Sequence, residues 1–303
     1  MKRDARRCFP AAAGNCRLAA CATRAQSGLV NLNGCSALIT GASAGIGREF
    51  AHQLAPRAGT LILVARRLDR LEQIRDELTA QNPNLNVHIH SADLSKQDDV
   101  SGLGDWLERE RISIDLLINN AGLGDRGAFA TSEPTRVSDM LSVNIVALTL
   151  LTRRLLPRMI AAKRGAILNV SSSASFLPLP GLGVYAATKA YVSSFSEALR
   201  TELRGTGVTV TALCPGPVHT EFDSVARRAE DADQRPAPAF TYVTTKEVVR
   251  AGLEAVEADR AIVIPGAVMK LAMFIVRLTP MPLLRLASAS TSPSSRMASS
   301  SDS

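Results

Sequence analysis

The alternation of two hydrophobic rhythms constrains this chain more than any other feature. Short apolar runs occur at Ser36–Thr40, Thr60–Ala65, Asn86–Ser91, Leu116–Asn119, Ala166–Ser171, Val208–Cys214 and Ala261–Ile264. Between and after them lie stretches with helical spacing, at Ile46–Ala55, Arg67–Ala80, Lys96–Glu110, Pro134–Ala162, Val184–Gly205, Thr245–Glu257 and Val268–Leu278. The runs are continuous rather than alternating, the mark of strands buried on both faces. Strands of that kind with helices between them imply a parallel sheet covered on both sides, a doubly wound α/β fold. No internal repeat exists beyond this alternation.

The 303 residues are 46% hydrophobic and 21% charged, the balance of an ordinary globular enzyme. Four regions are expected. Residues 1–30 form a disordered or targeting-like extension and 31–266 a catalytic domain. Residues 267–286 form a hydrophobic helical extension and 287–303 a disordered Ser-rich tail. The formal net charge of +7 is uneven. Lys2, Arg3, Arg6, Arg7, Arg17 and Arg24 stand against Asp4 alone at the N-terminus, so the globular part is close to neutral. With no basic stripe interleaved with aromatics, nucleic acid is excluded as a partner. The five cysteines, Cys8, Cys16, Cys21, Cys35 and Cys214, include no Cys-x-x-Cys and fit reduced thiols. The expected compartment is the cytoplasm, with organellar targeting by the Arg-rich start as the alternative. His52, His88, His90 and His219 lack metal-ligand spacing, so no metal is expected. The pair His88 and His90 reads as strand packing.

Thr40-Gly41-Ala42-Ser43-Ala44-Gly45-Ile46-Gly47 falls at the first strand-to-helix turn. Glycine there allows close backbone approach, and the free N–H groups of the following helix suit a pyrophosphate. The spacing Gly-x-x-x-Gly-x-Gly differs from the general dinucleotide fingerprint. At the end of the second strand stands Leu63-Val64-Ala65-Arg66-Arg67, with no carboxylate to receive a ribose 2′-hydroxyl. Arg66 suits the 2′-phosphate of NADP, which is favoured over NAD. Asp93, after the third strand, either accepts from the adenine amino group or belongs to a helix N-cap.

Tyr185 and Lys189 are four apart, on one face of a helix. A phenol titrates near ~10 and needs tuning for proton transfer at neutral pH, which a neighbouring cation can supply. Such a pair alone is a common surface pattern. Its context is Ser172, thirteen residues upstream of Tyr185, and Asn119-Asn120-Ala121-Gly122 after the fourth apolar run.

Taken together, Thr40-x-x-x-Gly45-x-Gly47, Asn119 to Gly122, Asn144, Ser172, Tyr185-x-x-x-Lys189 and Pro215-Gly216-Pro217-Val218-His219-Thr220 resemble the short-chain dehydrogenase/reductase family, in order and spacing, over roughly residues 33–265. The resemblance implies a Rossmann-type sheet of about seven strands and a nicotinamide cofactor. It also resembles members that reduce ketone or 3-oxoacyl substrates with NADPH. It implies catalytic roles for Ser172, which binds the substrate oxygen, for Tyr185 as acid/base, for Lys189, which lowers the phenol pKa and binds ribose, and for Asn144, which holds a water near the lysine. The implied cofactor contacts are Gly41, Ser43, Gly45, Ile46, Gly47, Arg66, Asp93, Asn120, Ala121, Gly122, Tyr185, Lys189, Pro215, Gly216, Val218 and Thr220.

The expected substrate is a small carbonyl or alcohol of apolar character, a ketone, aldehyde or 3-oxoacyl compound, and the expected assembly a dimer or tetramer. Residues 219–242 form the expected lid, and Phe176 to Leu179 either an apolar wall of the pocket or simple loop packing. The alternatives are a non-catalytic dinucleotide-binding regulator and a membrane-surface lipid or steroid reductase. Val268 to Leu286 is interrupted by Lys270, Arg277 and Arg285 and is too broken to span a bilayer. It covers the pocket, packs on a partner subunit, or lies at a membrane interface, the first two being favoured.

Overall fold

The computed structural model describes residues 30–228 and 241–289. The N-terminal extension with Cys8, Cys16 and Cys21, half of the expected lid (229–240) and residues 290–303 of the Ser-rich tail lie outside the described residues.

Seven strands form one sheet in the order β3-β2-β1-β4-β5-β6-β7. They are β1 (Ser36–Thr40), β2 (Thr60–Ala65), β3 (Asn86–Ser91), β4 (Leu116–Asn119), β5 (Gly165–Val170), β6 (Val208–Leu213) and β7 (Ile262–Val263). Every neighbouring pair is parallel. The continuous apolar runs have the expected consequence, with β1, β2, β4 and β5 buried along nearly their whole length. The edge strand β3 is only partly covered, and there His88 and His90 pack on Trp106, as strand packing requires.

Two apolar layers sandwich the sheet. On one face are α1 (Gly45–Leu54), α2 (Leu68–Gln81) and α8 (Thr245–Glu257), with Phe50, Leu71 and Val248 inward. On the other are α3 (Gln97–Arg109), the composite helix 134–161 and α6 (Gly183–Glu202), with Leu103, Leu151 and Leu199 inward. Each fully buried side chain of this size contributes about 1.5–3 kcal/mol of transfer free energy. Strand order reverses between β1 and β4, and ligands of such sheets bind beyond the carboxyl ends at that switch point.

Three expectations change. The stretch Pro134–Ala162 is not one regular helix. It comprises α4 (Pro134–Leu141), a π-helical segment (Ser142–Ala147) and α5 (Leu148–Ala161). The widening is centred on Asn144, whose side chain bonds away from its own helix. By length and hydropathy alone this stretch would pass for a membrane span, yet Met140, Val143, Ala147, Leu151 and Met159 are buried in the core. Within the expected lid there is a short helix, α7 (Glu221–Ala226). At the C-terminus α9 (Ala267–Leu278) is followed by α10 (Met281–Ala289), so residues 287–289 are helical rather than disordered.

Candidate active site

The glycine-rich turn between β1 and α1 is shaped to admit a ligand backbone-first. Gly45 has φ +54°, a left-handed conformation that favours glycine. A Cβ on Gly47 would lie 2.2 Å from the Gly41 carbonyl oxygen. No side chain caps the start of α1, where Ala44 is the N-cap, so its first N–H groups face outward unsatisfied by protein side chains. These are the requirements of a pyrophosphate cradle, and the residues fit a dinucleotide.

Thr40 and Asn120 fix this turn against the end of β4. The buried Thr40 hydroxyl accepts the N–H groups of Asn120 and Ala121, both at 3.0 Å. The Asn120 amide donates to the carbonyls of Thr40 at 2.9 Å and Gly41 at 3.3 Å. Asn119 lies beneath, donating to Thr152 and Asn169, and Asn169 donates to Ser196. The side chain of Asn120 is thus a brace for the turn.

Around the end of β5 the candidate proton-transfer residues converge. Ser172 Oγ accepts from Ala174 N at 3.1 Å and lies near enough to the Tyr185 phenol to act on its pKa. Ser171 is turned to the structure instead, donating to the Lys189 carbonyl at 2.8 Å. Lys189 is 4% exposed and its ammonium donates to the Val170 carbonyl at 2.8 Å. It stands 5.8 Å from the centroid of the Tyr185 ring. Burial pulls the Lys189 pKa down from 10.5 to about 8. Burial pushes the Tyr185 phenol up to about 12, with the Ser172 hydroxyl opposing and Asp223 adding to the rise. Desolvation thus outweighs the lowering of the phenol expected from Lys189. The ammonium is committed to Val170.

Asn144 is a bracket. Its Oδ1 accepts from Leu123 N at 2.8 Å, and its amide donates to Leu123 O at 2.9 Å and Thr188 Oγ1 at 3.0 Å. Thr188 in turn donates to the Tyr185 carbonyl at 2.7 Å. A Cβ on Gly122 would meet Lys189 Nζ at 3.4 Å and Asn144 Oδ1 at 3.5 Å, so these three residues meet at one point.

At the adenosine end the structure separates the two arginines. Arg66 is exposed at the tip of β2, near enough to Asp93 to act on its carboxyl. Arg67 is the one joined to the glycine turn, donating to Ser43 Oγ at 3.1 Å. Asp93 Oδ1 accepts from Ser95 N at 3.1 Å and Ser95 Oγ at 2.9 Å, the turn that leads into α3.

The loop 215–220 closes the opposite side. Pro215 O accepts from Ser173 N at 2.8 Å. Gly216 lies under α9, where a Cβ would meet Met269 Cε at 2.7 Å, and Val218 packs on the core. Thr220 caps α7 through Phe222 N at 3.3 Å. Beyond α7, Arg228 and Arg136 both pair with the buried Asp125, and Arg126 N donates to Ala226 O. Between the loop after β5 and the start of α6 is an apolar recess lined by Phe176, Leu177, Pro178, Leu179, Ala187 and Met281, and Tyr185 is not among its lining residues.

Arg70, Thr188, Glu221, Phe222 and Asp125 with its two arginines were not singled out from sequence, and Arg67 was read there only beside Arg66. Arg67 and Arg70 carry the one usable signal, their i, i+3 spacing on a helix start facing Ser43.

Comparison with known proteins places this geometry. The family described as short chain dehydrogenase matches residues 36–231. The chain is 41% identical over 211 residues to the sulfoacetaldehyde reductase of Chromohalobacter salexigens, covering 67% of this chain and 81% of that protein. It is 35% identical over 216 residues to the NADP-dependent 3-hydroxy acid dehydrogenase YdfG of Escherichia coli K12, covering 70% of this chain and 84% of that protein. Among solved structures, a short-chain dehydrogenase from Sphingobium yanoikuyae in complex with NADPH superposes with a TM-score of 0.69. Its identity is 31%, covering 80% of this chain and 94% of that one.

Proposed function

This chain belongs to the short-chain dehydrogenase/reductase family, and from that premise we propose that it is an NADP(H)-dependent reductase of an apolar ketone, aldehyde or 3-oxoacyl compound. The observation that carries the reading is the convergence of Ser172, Tyr185 and Lys189 at the end of β5, beside the glycine cradle at the sheet's switch point. Support for NADP comes from the NADP-dependent relative, the NADPH complex of the similar structure, and the Arg67–Ser43 pair where a 2′-phosphate would lie.

In this reading Gly41, Ser43, Gly45, Ile46 and Gly47 hold the pyrophosphate, and Arg66 and Arg67 the 2′-phosphate. Residues 120–122 together with Pro215, Gly216, Val218 and Thr220 line the nicotinamide end. Bound there, the nicotinamide supplies the hydride. The protein orients the carbonyl and delivers the proton. Ser172 and Tyr185 donate to the carbonyl oxygen, whose developing charge they stabilise. A phenol at about 12 keeps its proton at neutral pH. It yields that proton to an alkoxide, whose basicity is comparable with that of hydroxide, the conjugate base of water at ~15.7. Lys189, largely charged at neutral pH, steadies the phenolate left behind. Asn144 and Thr188 position the helical turn that carries Tyr185. The apolar run Phe176 to Leu179, which follows Ser172 in the chain, is the wall offered to the rest of the substrate.

A homo-oligomer, dimer or tetramer, belongs to the same proposal. It is supported by the exposed apolar stripe Val268, Leu271, Ile275 and Leu278 on α9. The cytoplasm is the compartment proposed, supported by the unpaired buried thiols of Cys35 and Cys214. The test is NADPH oxidation against a panel of ketones, aldehydes and 3-oxoacyl thioesters, with NADH in parallel. Turnover confined to NADPH and to apolar carbonyls is expected. Nucleotide binding without turnover on any class would favour a regulator.

A further inference from the structure

Helix α7 spans the site. At one end Glu221 takes a guanidinium on each carboxylate oxygen, Arg67 at 3.0 Å and Arg70 at 2.6 Å. Arg67 keeps its other nitrogen on Ser43 Oγ at 3.1 Å. One residue further on, the Phe222 ring lies 5.4 Å from that of Tyr185, and a Cβ on Gly124 would meet Phe222 Cζ at 2.6 Å. One residue back, a Cβ on Gly45 would meet Thr220 at 3.3 Å. The six residues of α7 therefore connect the arginines at the adenosine end to the catalytic phenol.

An anion bridged by two guanidiniums and set beside a serine hydroxyl is the arrangement a phosphate monoester seeks. A phosphate monoester carries more charge than a carboxylate, about −1.5 to −2 at neutral pH, and one more acceptor oxygen. Both anions would need the same faces of Arg67 and Arg70, so they exclude one another. We propose that Glu221 occupies Arg67 and Arg70 as an internal substitute for the 2′-phosphate of NADP(H), and that arrival of this phosphate displaces the carboxylate and releases α7 from Tyr185. The proposal rests on the NADP(H) reading above. It makes Glu221 a specificity determinant, because a nucleotide lacking the phosphate leaves α7 latched over the phenol. The side chains are 39–48% exposed, so the latch is weak enough for a ligand to open.

The experiment uses the full chain and two probes that end at the adenosine, adenosine 2′,5′-bisphosphate and adenosine 5′-monophosphate. Calorimetry gives their affinities for the parent, for Glu221→Gln and for Arg67→Ala. Hydrogen exchange of residues 221–226 reports α7. Glu221→Gln should bind the bisphosphate about 3- to 10-fold tighter, the value of two half-exposed ion pairs no longer in competition, and leave the monophosphate within about twofold. The bisphosphate should speed exchange in α7 of the parent but not of Glu221→Gln, where it is already fast. If Glu221→Gln leaves bisphosphate affinity and α7 exchange unchanged while Arg67→Ala loses the bisphosphate, Glu221 is an ordinary surface pair and the NADP(H) reading survives. A parent that does not distinguish the two probes overturns both.

Discussion

Replacing Lys189 by methionine should stabilise the protein while abolishing its turnover. The ammonium is 4% exposed and its pKa falls from 10.5 to about 8 on folding. Each tenfold loss of proton affinity corresponds to ~1.4 kcal/mol, so holding the charged form in the fold at pH 7 costs ~3 kcal/mol. Methionine fills much of the same volume without the charge. The substitution leaves the Val170 carbonyl without its donor, a loss of ~1 kcal/mol. A net gain of ~2 kcal/mol follows, or roughly 4–8 °C in Tm for a domain of this size.

The sign can be checked against pH. A base whose folded pKa is depressed has its full relative stability above the unfolded value and loses it as pH falls towards the folded one. The advantage of Lys189→Met is therefore greatest below about pH 8 and fades as pH approaches 10.5. Between pH 7 and 9.5 it should shrink by ~2 kcal/mol, and this change is independent of the carbonyl penalty. Urea unfolding of both proteins at three pH values measures it. A variant less stable than the parent at pH 7, or a difference flat with pH, would refute the claim that Lys189 is held at a cost to the fold.

Arg67→Ala should weaken NADPH binding by about tenfold or more and NADH binding little, since a charge-assisted phosphate contact is worth roughly 1.5–3 kcal/mol. Arg66→Ala, lacking a bond to Ser43, should have the smaller effect, and fluorescence titration with both nucleotides ranks them. Asp125→Asn should destabilise the protein by about 2–4 kcal/mol, because the carboxylate is buried while Arg228 and Arg136 keep partial access to water. The Asp125 carboxyl is held below its ordinary value, chiefly by its hydrogen bonds from Arg228. The stability this confers is present above the unfolded pKa and lost as pH falls through the folded one, so the variant should lack that acid-limb loss in an unfolding series. On α9, Leu271→Asp with Leu278→Asp should reduce the oligomeric mass in light scattering. Met269 and Met273, which are buried, remain in place. Deleting the segment after Gly266 is the poorer test, because it also uncovers Gly216 in the nucleotide loop.

The sheet was legible because its strands are buried on both faces and advertise it residue by residue. The seven strands fall within a residue or so of their expected bounds. Periodicity says little about what happens inside a helix. The π-helical segment at Asn144 arises from bonds to Leu123 and Thr188, which are 21 and 44 residues away, and no local pattern records them. The convergence of Ser172, Tyr185 and Lys189 was readable because Tyr185 and Lys189 share one helical turn and Ser172 sits at a strand end. The phenol's electrostatics were not, since spacing cannot show that Lys189 donates to Val170 and that desolvation outweighs its charge. The arginine cluster was half legible. Arg66 and Arg67 are equivalent on paper, and only the direction of the chain leaving β2 decides which one meets Ser43. Glu221 was invisible, because its partners lie 154 and 151 residues earlier.

The central claim is that Tyr185 delivers the proton, and Tyr185→Phe tests it most directly. Steady-state NADPH oxidation on the best carbonyl substrate should fall ~10²–10⁴-fold, the usual worth of a positioned acid. Nucleotide affinity, measured by fluorescence on the same preparation, should stay near that of the parent. A variant that turns over at the parent rate with its nucleotide bound would contradict the account.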